Sequence, residues 1–192
     1  MSQLIARASI ECVLYIELHP CQCGKQLGPT DVRIATQGND VLAIYERPCP
    51  GCAVQRRFEF VIDPDLEHAD GGKFGGARPS KIIDAGQFLA VADASARAVP
   101  VDLTDLDRDE CMLARELMER AVAAIEEVIK FIPPQSDRVP FDALFTEEGK
   151  AIYADEPGRF RRSRLDAVLG AYRASKAFAT GSQVSSATGA TT

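Results

Sequence analysis

Hydrophobic and polar residues alternate along the first third of the chain in a pattern typical of β-strands. Every second residue of segment 9–18 is apolar, and glutamates occupy two of the intervening positions. Alternation with a period of two predicts a half-buried strand here. Two further strand-like segments, 31–36 and 41–47, flank the tetrapeptide Gln-Gly-Asn-Asp, which tolerates positive φ and therefore predicts a hairpin. A fourth strand is expected at 54–62, so residues 1–63 are predicted to form a small antiparallel sheet.

Apolar residues recur at the three- and four-residue spacing of α-helices in the second half of the chain, residues 80–180. Ser80 follows a proline and is a suitable N-cap for the first of these helices. The longest predicted helix carries two apolar stripes, so we expect it to pack against neighbours on more than one side. Helical segments are expected at residues 80–98, 106–132, 141–145, 147–154 and 160–178. The predicted fold class is therefore α+β, with a sheet followed by a helical region.

Small and polar residues predict two segments without regular structure. Residues 64–79 form a glycine-rich connection, and residues 181–192 form a tail that we expect to be disordered. The connection contains Lys73 and Arg78, which together with their glycine neighbours are candidates for an anion-binding loop. It lacks the Gly-Lys-Ser/Thr ending of a phosphate-binding P-loop, so a flexible linker is the favoured interpretation.

Four cysteines in two close pairs are the most informative chemical feature of the sequence. Cys21 and Cys23 are separated by one residue, and Cys49 and Cys52 are separated by two. Paired cysteines at strand ends are typical ligands of a structural Zn²⁺, because the ion prefers sulfur and four thiolates complete its tetrahedral shell. The short first spacing leaves His19 as an alternative ligand. The competing interpretations are independent buried thiols or a redox pair.

The arrangement resembles a zinc ribbon over residues 9–62, which implies an antiparallel sheet held at one end by a structural metal. A Cys-x-Cys pair followed by Cys-x-x-Cys is also similar to the zinc centre of the redox-regulated heat-shock chaperone family. That resemblance implies a centre that loses its metal and unfolds on oxidation. A redox-sensing zinc switch is therefore an alternative function.

Recognisable catalytic machinery is missing from the sequence, which favours a non-enzymatic protein. Zinc-dependent deaminases combine Pro-Cys-x-x-Cys with an upstream His-x-Glu or Cys-x-Glu, whose glutamate transfers the proton. Segment 48–52 matches the first part, but proline and glutamine stand upstream where the glutamate is required. The two histidines, His19 and His68, lie in no nucleophile or nucleotide-binding motif. We therefore expect a closed structural metal site.

The chain carries a formal net charge of −6, which opposes broad nucleic-acid binding. Positive charge nevertheless crowds the start of the last predicted helix, where it opposes the helix dipole. The arginines at this point are Arg159, Arg161, Arg162 and Arg164. The expected counter-charges lie within the chain, at Asp105, Asp107, Asp109 and Glu110. An acidic partner, a phosphate or weak nucleic-acid binding through this helix is the alternative.

No positively charged leader with an apolar core precedes the first predicted strand, and no apolar run is long enough to span a bilayer. We therefore expect a cytoplasmic protein that contacts no membrane, and the bias towards arginine and alanine fits a GC-rich bacterial genome. The predicted function is binding to another protein, as an adaptor or an inhibitor. A small acidic protein of this kind is a candidate immunity partner of a secreted toxin, since acidic surfaces mask basic active sites. The sequence leaves the oligomeric state open.

Overall fold

The computed structural model describes residues 3–28, 31–63, 74–102 and 106–185, with side chains described as far as residue 175. The chain divides into two compact units, residues 1–83 and 84–192. Among the described residues, the first unit contains a four-stranded sheet and one helix, and the second unit is helical. The fold class is α+β, as the sequence predicts. None of the described helices combines the length and the apolar content that crossing a bilayer requires.

Three of the four strands in the described sheet pair as the sequence predicts. The strands are β1 (Leu4–Ala6), β2 (Val32–Gln37), β3 (Asp40–Pro48) and β4 (Gln55–Ile62), in the spatial order β1-β4-β3-β2. β2 and β3 form the expected antiparallel hairpin, and Gly38, with a φ of 63°, lies in the tight turn between them. β3 and β4 are also antiparallel. β1 instead runs parallel to β4, so the expectation of a purely antiparallel sheet is wrong.

Segment 9–18 is an α-helix, α1 (Ser9–Leu18), and the strand predicted there is wrong. The alternation misleads because two of the intervening positions, Val13 and Tyr15, are also apolar, so a helical spacing fits the segment as well. A strand would also place Glu11 in solvent, on the face opposite the apolar residues. In the structure Glu11 is fully buried, because its charge is neutralised by an arginine at the start of the helix.

A buried ion pair fixes this start of α1. The carboxylate of Glu11 accepts hydrogen bonds from the backbone N–H of Arg7 at 2.6 Å, and from its guanidinium Nε and Nη2 at 2.9 and 2.6 Å. The Arg7 guanidinium also donates to the backbone carbonyl of Arg78. Arg78 in turn pairs with Asp63, and its Nη2 lies 3.1 Å from Oδ2. Charge-assisted hydrogen bonds thus tie the chain entering α1 to the segment that follows β4.

α1 packs on the sheet through aromatic and apolar side chains. The ring of Tyr15 makes edge-on contacts with Phe60 and Phe58, with centroid distances of 5.5 and 6.3 Å. Edge-to-face contact is a geometry that aromatic pairs favour. Cys12 is fully buried and interacts with Tyr45, and burial raises the pKa of the Cys12 thiol to about 12. Cys12 is therefore a neutral core residue rather than a reactive thiol.

Segment 74–83 belongs to the first unit and contains no helix, so the predicted helix start at Ser80 is wrong. Ser80 does bind nearby backbone, because its hydroxyl accepts from the amides of Ile82 and Ile83 at 3.2 and 3.0 Å. Both isoleucines are buried. This hydroxyl-capped turn offers the same local signal as a helix N-cap, which explains the error. Residues 64–73 of the predicted connection lie outside the described residues.

The second unit is built from four described α-helices and two short 3-10 helices. They are α2 (Ala85–Arg97), α3 (Arg108–Lys130), α4 (Glu147–Asp155) and α5 (Arg162–Ser185), with 3-10 helices at Phe141–Ala143 and Pro157–Phe160. α3 packs against both α2 and α5, as its two apolar stripes predict. α5 continues through Ser185, so residues 181–185 of the predicted tail are helical, and residues 186–192 lie outside the described residues.

One buried carboxylate joins the first turns of α2 and α4. Asp84 caps α2, because its Oδ1 accepts from the amide of Gln87 at 2.9 Å while the Gln87 side chain accepts from the Asp84 amide at 3.2 Å. The other oxygen of Asp84 accepts from the amide and the hydroxyl of Thr146, the N-cap of α4, at 2.8 and 2.6 Å. A single side chain therefore satisfies backbone donors at the starts of two helices.

Two glycines allow this close approach. A β-carbon on Gly86 would lie 2.4 Å from the Cα of Gly149, and one on Gly149 would lie 2.3 Å from both carboxylate oxygens of Asp84. The atom that a Gly86 side chain would meet belongs to the backbone of α4, which cannot rotate away as a flexible side chain can. The contact therefore excludes every residue larger than glycine at both positions.

Gly86→Ala is expected to destabilise the second unit by about 1–3 kcal/mol, the typical cost of overpacking a close contact. This sign is the reverse of the helix-propensity effect, since alanine is the better helix former. Gly170→Ala is the matched control, because Gly170 lies in α5 and an added methyl group would meet nothing within 4 Å. That change should stabilise by up to about 1 kcal/mol. Chemical denaturation compares the two variants, and effects of the same sign would contradict the close contact.

Candidate metal centre

The first cysteine pair lies in a tight turn that follows α1. The backbone amide of Cys21 donates to the carbonyl of Lys25 at 2.9 Å, and the amide of Gly24 donates to the carbonyl of Cys21 at 2.7 Å. Gly24 has a φ of 80°, in the left-handed region that favours glycine. A helix rather than a strand leads into this turn, which departs from the zinc-ribbon arrangement that the sequence suggests.

The second cysteine pair lies in the connection between β3 and β4. The amide of Cys49 donates to the carbonyl of Val54, and the amide of Ala53 donates to the carbonyl of Cys49, both at 2.9 Å. Ala53 has a φ of 59°, which costs about 1–2 kcal/mol for a residue with a β-carbon. The amide of Gly51 lies 3.4 Å from the sulfur of Cys49 and donates to it. The loop thus turns a backbone donor towards a candidate thiolate.

The two turns bring the sulfur atoms of Cys21, Cys23, Cys49 and Cys52 within 4.8 Å of one another. The sulfurs of Cys21 and Cys52 are 3.5 Å apart, and those of Cys23 and Cys49 are also 3.5 Å apart. A tetrahedral ion with metal–sulfur distances of about 2.3 Å separates its sulfur ligands by about 3.8 Å. The observed separations bracket this value. The cluster therefore has the size that one metal ion requires.

His19 lies outside this sulfur cluster. Its Nδ1 is 2.7 Å from the carbonyl oxygen of Tyr15, and its ring stacks on the Tyr15 ring with centroids 3.9 Å apart. The carbonyl of His19 accepts from the guanidinium of Arg56 at 3.0 Å. Among the described residues, the group within ligating reach of one ion consists of sulfur atoms alone.

Hydrogen bonds separate the acidities of the clustered thiols. The backbone amide of Cys23 and then the thiol of Cys52 donate to Cys21, and they lower the pKa of Cys21 to about 6. The amide of Val54 favours the Cys52 thiolate, but the interactions with Cys21 and Cys23 prevail and raise the pKa of Cys52 to about 12. The lowered pKa of Cys21 favours its thiolate, which is the form that binds metal.

The candidate anion-binding loop is not assembled within the described ranges. Lys73 lies outside them, and Arg78 is paired with the buried carboxylate of Asp63. A β-carbon on Gly75 would lie 2.9 Å from the guanidinium carbon of Arg7, so this glycine makes room for the buried ion pair. Arg78 and its glycine neighbour thus belong to the charged network of the first unit.

Arg159, the first arginine of the segment that leads into α5, has a different counter-charge from the one predicted. Nη2 of Arg159 lies 2.6 and 2.7 Å from the two carboxylate oxygens of Asp93 in α2. The acidic cluster that we expected to neutralise the arginines of this segment caps α3 instead, because Asp107 and Glu110 form the capping box of that helix. Asp105 lies outside the described residues. The sequence shows the two charge clusters but not which helices meet.

The other three arginines contribute mainly backbone hydrogen bonds. Arg161 forms an isolated antiparallel bridge with Arg138, and the amide of Arg162 donates to the carbonyl of Asp137 at 2.7 Å. The amide of Arg164 donates to the carbonyl of Arg161 at 3.0 Å and so begins α5. Of the four candidate anion or partner contacts in this segment, Arg159 alone is ion-paired with a described residue.

A pocket of about 440 Å³ lies beside α1 and was not expected from the sequence. Its lining residues include Val13, Ile16, Leu27 and Tyr45, with the polar side chains of Glu17 and Gln26. Its volume falls within the range of about 300–1,000 Å³ that ligand pockets occupy. The signal was present in the spacing of 13, 16 and 17, which share one face of a helix but not of a strand. Because segment 9–18 was assigned the period of a strand, these three residues were not predicted to share a face.

Comparisons of the chain with protein-family models, with curated proteins and with solved structures each gave no match. The class of the site is therefore defined by its own geometry. It is a four-cysteine cluster that can hold a metal ion.

Proposed function

We propose that the protein binds one structural Zn²⁺ through Cys21, Cys23, Cys49 and Cys52. The observation that carries this proposal is the convergence of four sulfur atoms within 4.8 Å. Thiolates favour zinc, copper(I) or iron over magnesium and calcium, which prefer oxygen ligands. Zinc is favoured because closely spaced cysteine pairs that close a four-thiolate shell are its common structural setting.

Bound Zn²⁺ supplies four bonds that join the turn after α1 to the turn between β3 and β4. The chain between these turns includes β2 and β3, so the metal closes a long loop and lowers the entropy of the unfolded chain. Four thiolates leave no coordination position for a reacting water. This arrangement supports a structural rather than a catalytic role for the metal.

The function that we propose for the whole chain is binding to another protein, as an adaptor or an inhibitor. Exposed aromatic residues support it, because Phe141 and Phe145 in the second unit are 58% and 46% exposed, and aromatic residues including Phe are enriched at protein–protein interfaces. The net charge of −6 suits a basic partner surface, such as that of a secreted toxin. If a neighbouring gene encodes a toxin, an inhibition assay tests the immunity role. Failure of this protein to inhibit that toxin would exclude the role.

Metal analysis tests the proposed centre directly. Protein produced with zinc available should contain about one zinc per chain, and a chelator should remove it and lower the stability of the first unit. Replacement by Co²⁺ should give the intense sulfur-to-metal absorption that four thiolates produce. Iron or no metal in stoichiometric amount would contradict the proposal.

A redox-sensing switch is the second candidate function, and the exposure of Cys23 and Cys52 favours it. The switch would oxidise two of the thiolates with a peroxide: one S–S bond would form, the O–O bond would break, two protons would complete two waters, and a bound Zn²⁺ would lose two of its ligands. Each exposed sulfur lies 3.5 Å from a buried one, so little movement is needed. Hydrogen peroxide should release zinc, and a thiol reductant with added zinc should restore it. Zinc that stays bound under peroxide would exclude the switch.

A further inference from the structure

The pocket beside α1 has an apolar floor and an open mouth. Its floor is lined by Ile16, Leu27 and Tyr45, which are only 3–5% exposed. Val13 and Gly28 also line the pocket but are exposed, so they lie at its mouth. A molecule in this pocket therefore buries its apolar part against the floor and keeps a polar group near solvent.

The floor is held in place by contacts within the first unit. A hydrogen bond links the Tyr45 hydroxyl to the buried thiol of Cys12, and the Tyr45 ring packs edge-on against Phe60 with centroids 5.8 Å apart. The neighbouring wall, residues 26–28, directly follows the hydrogen-bonded turn of the first cysteine pair. A preformed site of this kind pays little ordering entropy when a ligand binds.

The charge of the pocket selects the polar end of its ligand. Within the described ranges, Glu17 is the single charged residue that lines it. Glu17 lies in the last turn of α1, where the negative end of the helix dipole also favours a cation. A carboxylate has two oxygens and can accept several hydrogen bonds, so it can bind a ligand alongside contacts within the chain. The site therefore attracts a cation and repels an anion.

We propose that this pocket binds a small organic cation, a primary amine attached to an apolar body. The ammonium group donates to the carboxylate of Glu17, and the side chain of Gln26 offers a second polar contact beside it. The apolar body packs against Ile16 and Leu27 on the floor. The lining residues include none of the four clustered cysteines, so this ligand site does not rest on the proposed metal centre.

Three probes with one apolar body and different head groups test the charge preference. Phenylbutylamine is a cation at neutral pH, phenylbutanol is neutral and phenylbutyrate is an anion. Titration of the isotope-labelled full chain, followed by NMR, gives both the affinity and the position of the bound probe. Phenylbutylamine should shift the amides of residues 13–17 and 26–28 and should bind about tenfold or more tightly than phenylbutanol, with phenylbutyrate the weakest.

Glu17→Gln keeps the shape of the side chain and removes its charge. This variant should lose most of the preference for the amine while it binds phenylbutanol as before. Glu46→Gln is the matched control, because Glu46 is an exposed carboxylate of the same unit that lies outside the pocket lining. It should keep the full preference. Val13→Trp, at the mouth of the pocket, should weaken the binding of all three probes by filling the space that they occupy.

Several results would overturn this proposal. These are a failure of phenylbutylamine to bind, equal binding of the amine and the alcohol, and an unchanged preference for the amine in a folded Glu17→Gln variant. Shifts confined to the turns at residues 21–24 and 49–52 would also overturn it, because they would place the amine at the sulfur cluster. Zinc measured in the same samples separates the two sites, since pocket binding should leave the zinc content unchanged.

Discussion

Cys49→Ser is expected to abolish stoichiometric zinc binding and to cause the largest loss of stability of any single substitution in the first unit. Cys49 is 3% exposed, and its sulfur receives the amide of Gly51 at 3.4 Å. A serine hydroxyl stays protonated at neutral pH and is a poor zinc ligand, so the shell is left with three thiolates. In zinc-finger peptides the binding of structural zinc contributes about 10–16 kcal/mol to the free energy of folding. The Cys49→Ser variant should lose most of the corresponding contribution to the stability of the first unit.

The measurement is zinc per chain together with the thermal unfolding of the first unit. Cys111→Ser is the matched control, because Cys111 is half-buried in α3 and lies outside the sulfur cluster. That variant should keep about one zinc and nearly the wild-type melting temperature, since a serine fills the site with little change in volume. A Cys49→Ser protein that retains stoichiometric zinc would show that the cluster is not the metal site.

Glu11→Gln is expected to destabilise the first unit by about 3–5 kcal/mol, the usual cost of removing one partner from a buried ion pair. The carboxylate is fully buried and accepts three hydrogen bonds from Arg7. Glutamine keeps the shape of the side chain but removes the negative charge, and its amide group presents a donor to a guanidinium that has only donors. The Arg7 guanidinium, 7% exposed at its side chain, then loses the negative charge of Glu11 beside it.

Hydrogen exchange of peptides from residues 3–28 and 31–63 reports this loss for the first unit alone. Glu46→Gln is the control, because Glu46 and Arg57 form an exposed ion pair at 3.4 Å in the same unit. An exposed pair contributes about 0–1 kcal/mol, so that variant should resemble the wild type. Equal protection in both variants would mean that the Arg7–Glu11 pair is solvated in solution.

Features decided by neighbouring residues were predictable from the sequence. The β2–β3 hairpin depends on a turn tetrapeptide with Gly38 at positive φ, and that preference is local. The clustering within each cysteine pair was also predictable, because the short spacing limits how far the two sulfurs of a pair can separate. The shorter Cys21–Cys23 spacing is accommodated because the turn is closed by Gly24, so the cluster forms without His19.

Features decided by distant residues were not predictable. The helical state of segment 9–18 depends on packing against β4 and on the ion pair with Arg7, neither of which leaves a periodic signal. The parallel strand β1 is only three residues long, too short for any pattern. The partner of Arg159 is Asp93, far away in sequence, and several acidic residues were equally plausible from charge alone.

The junction between α2 and α4 has a consequence for recognising related chains. The carboxylate of Asp84 accepts hydrogen bonds at the starts of both helices. Gly86 and Gly149 allow this contact because a side chain at either position would collide with the other helix or with Asp84. The residues involved have a fixed spacing in the sequence, Asp-x-Gly at the start of α2 and Thr-x-x-Gly at the start of α4. Such a paired signature can persist when overall sequence similarity has faded. Together with the two cysteine pairs, it offers a search pattern for distant relatives that is derived from geometry.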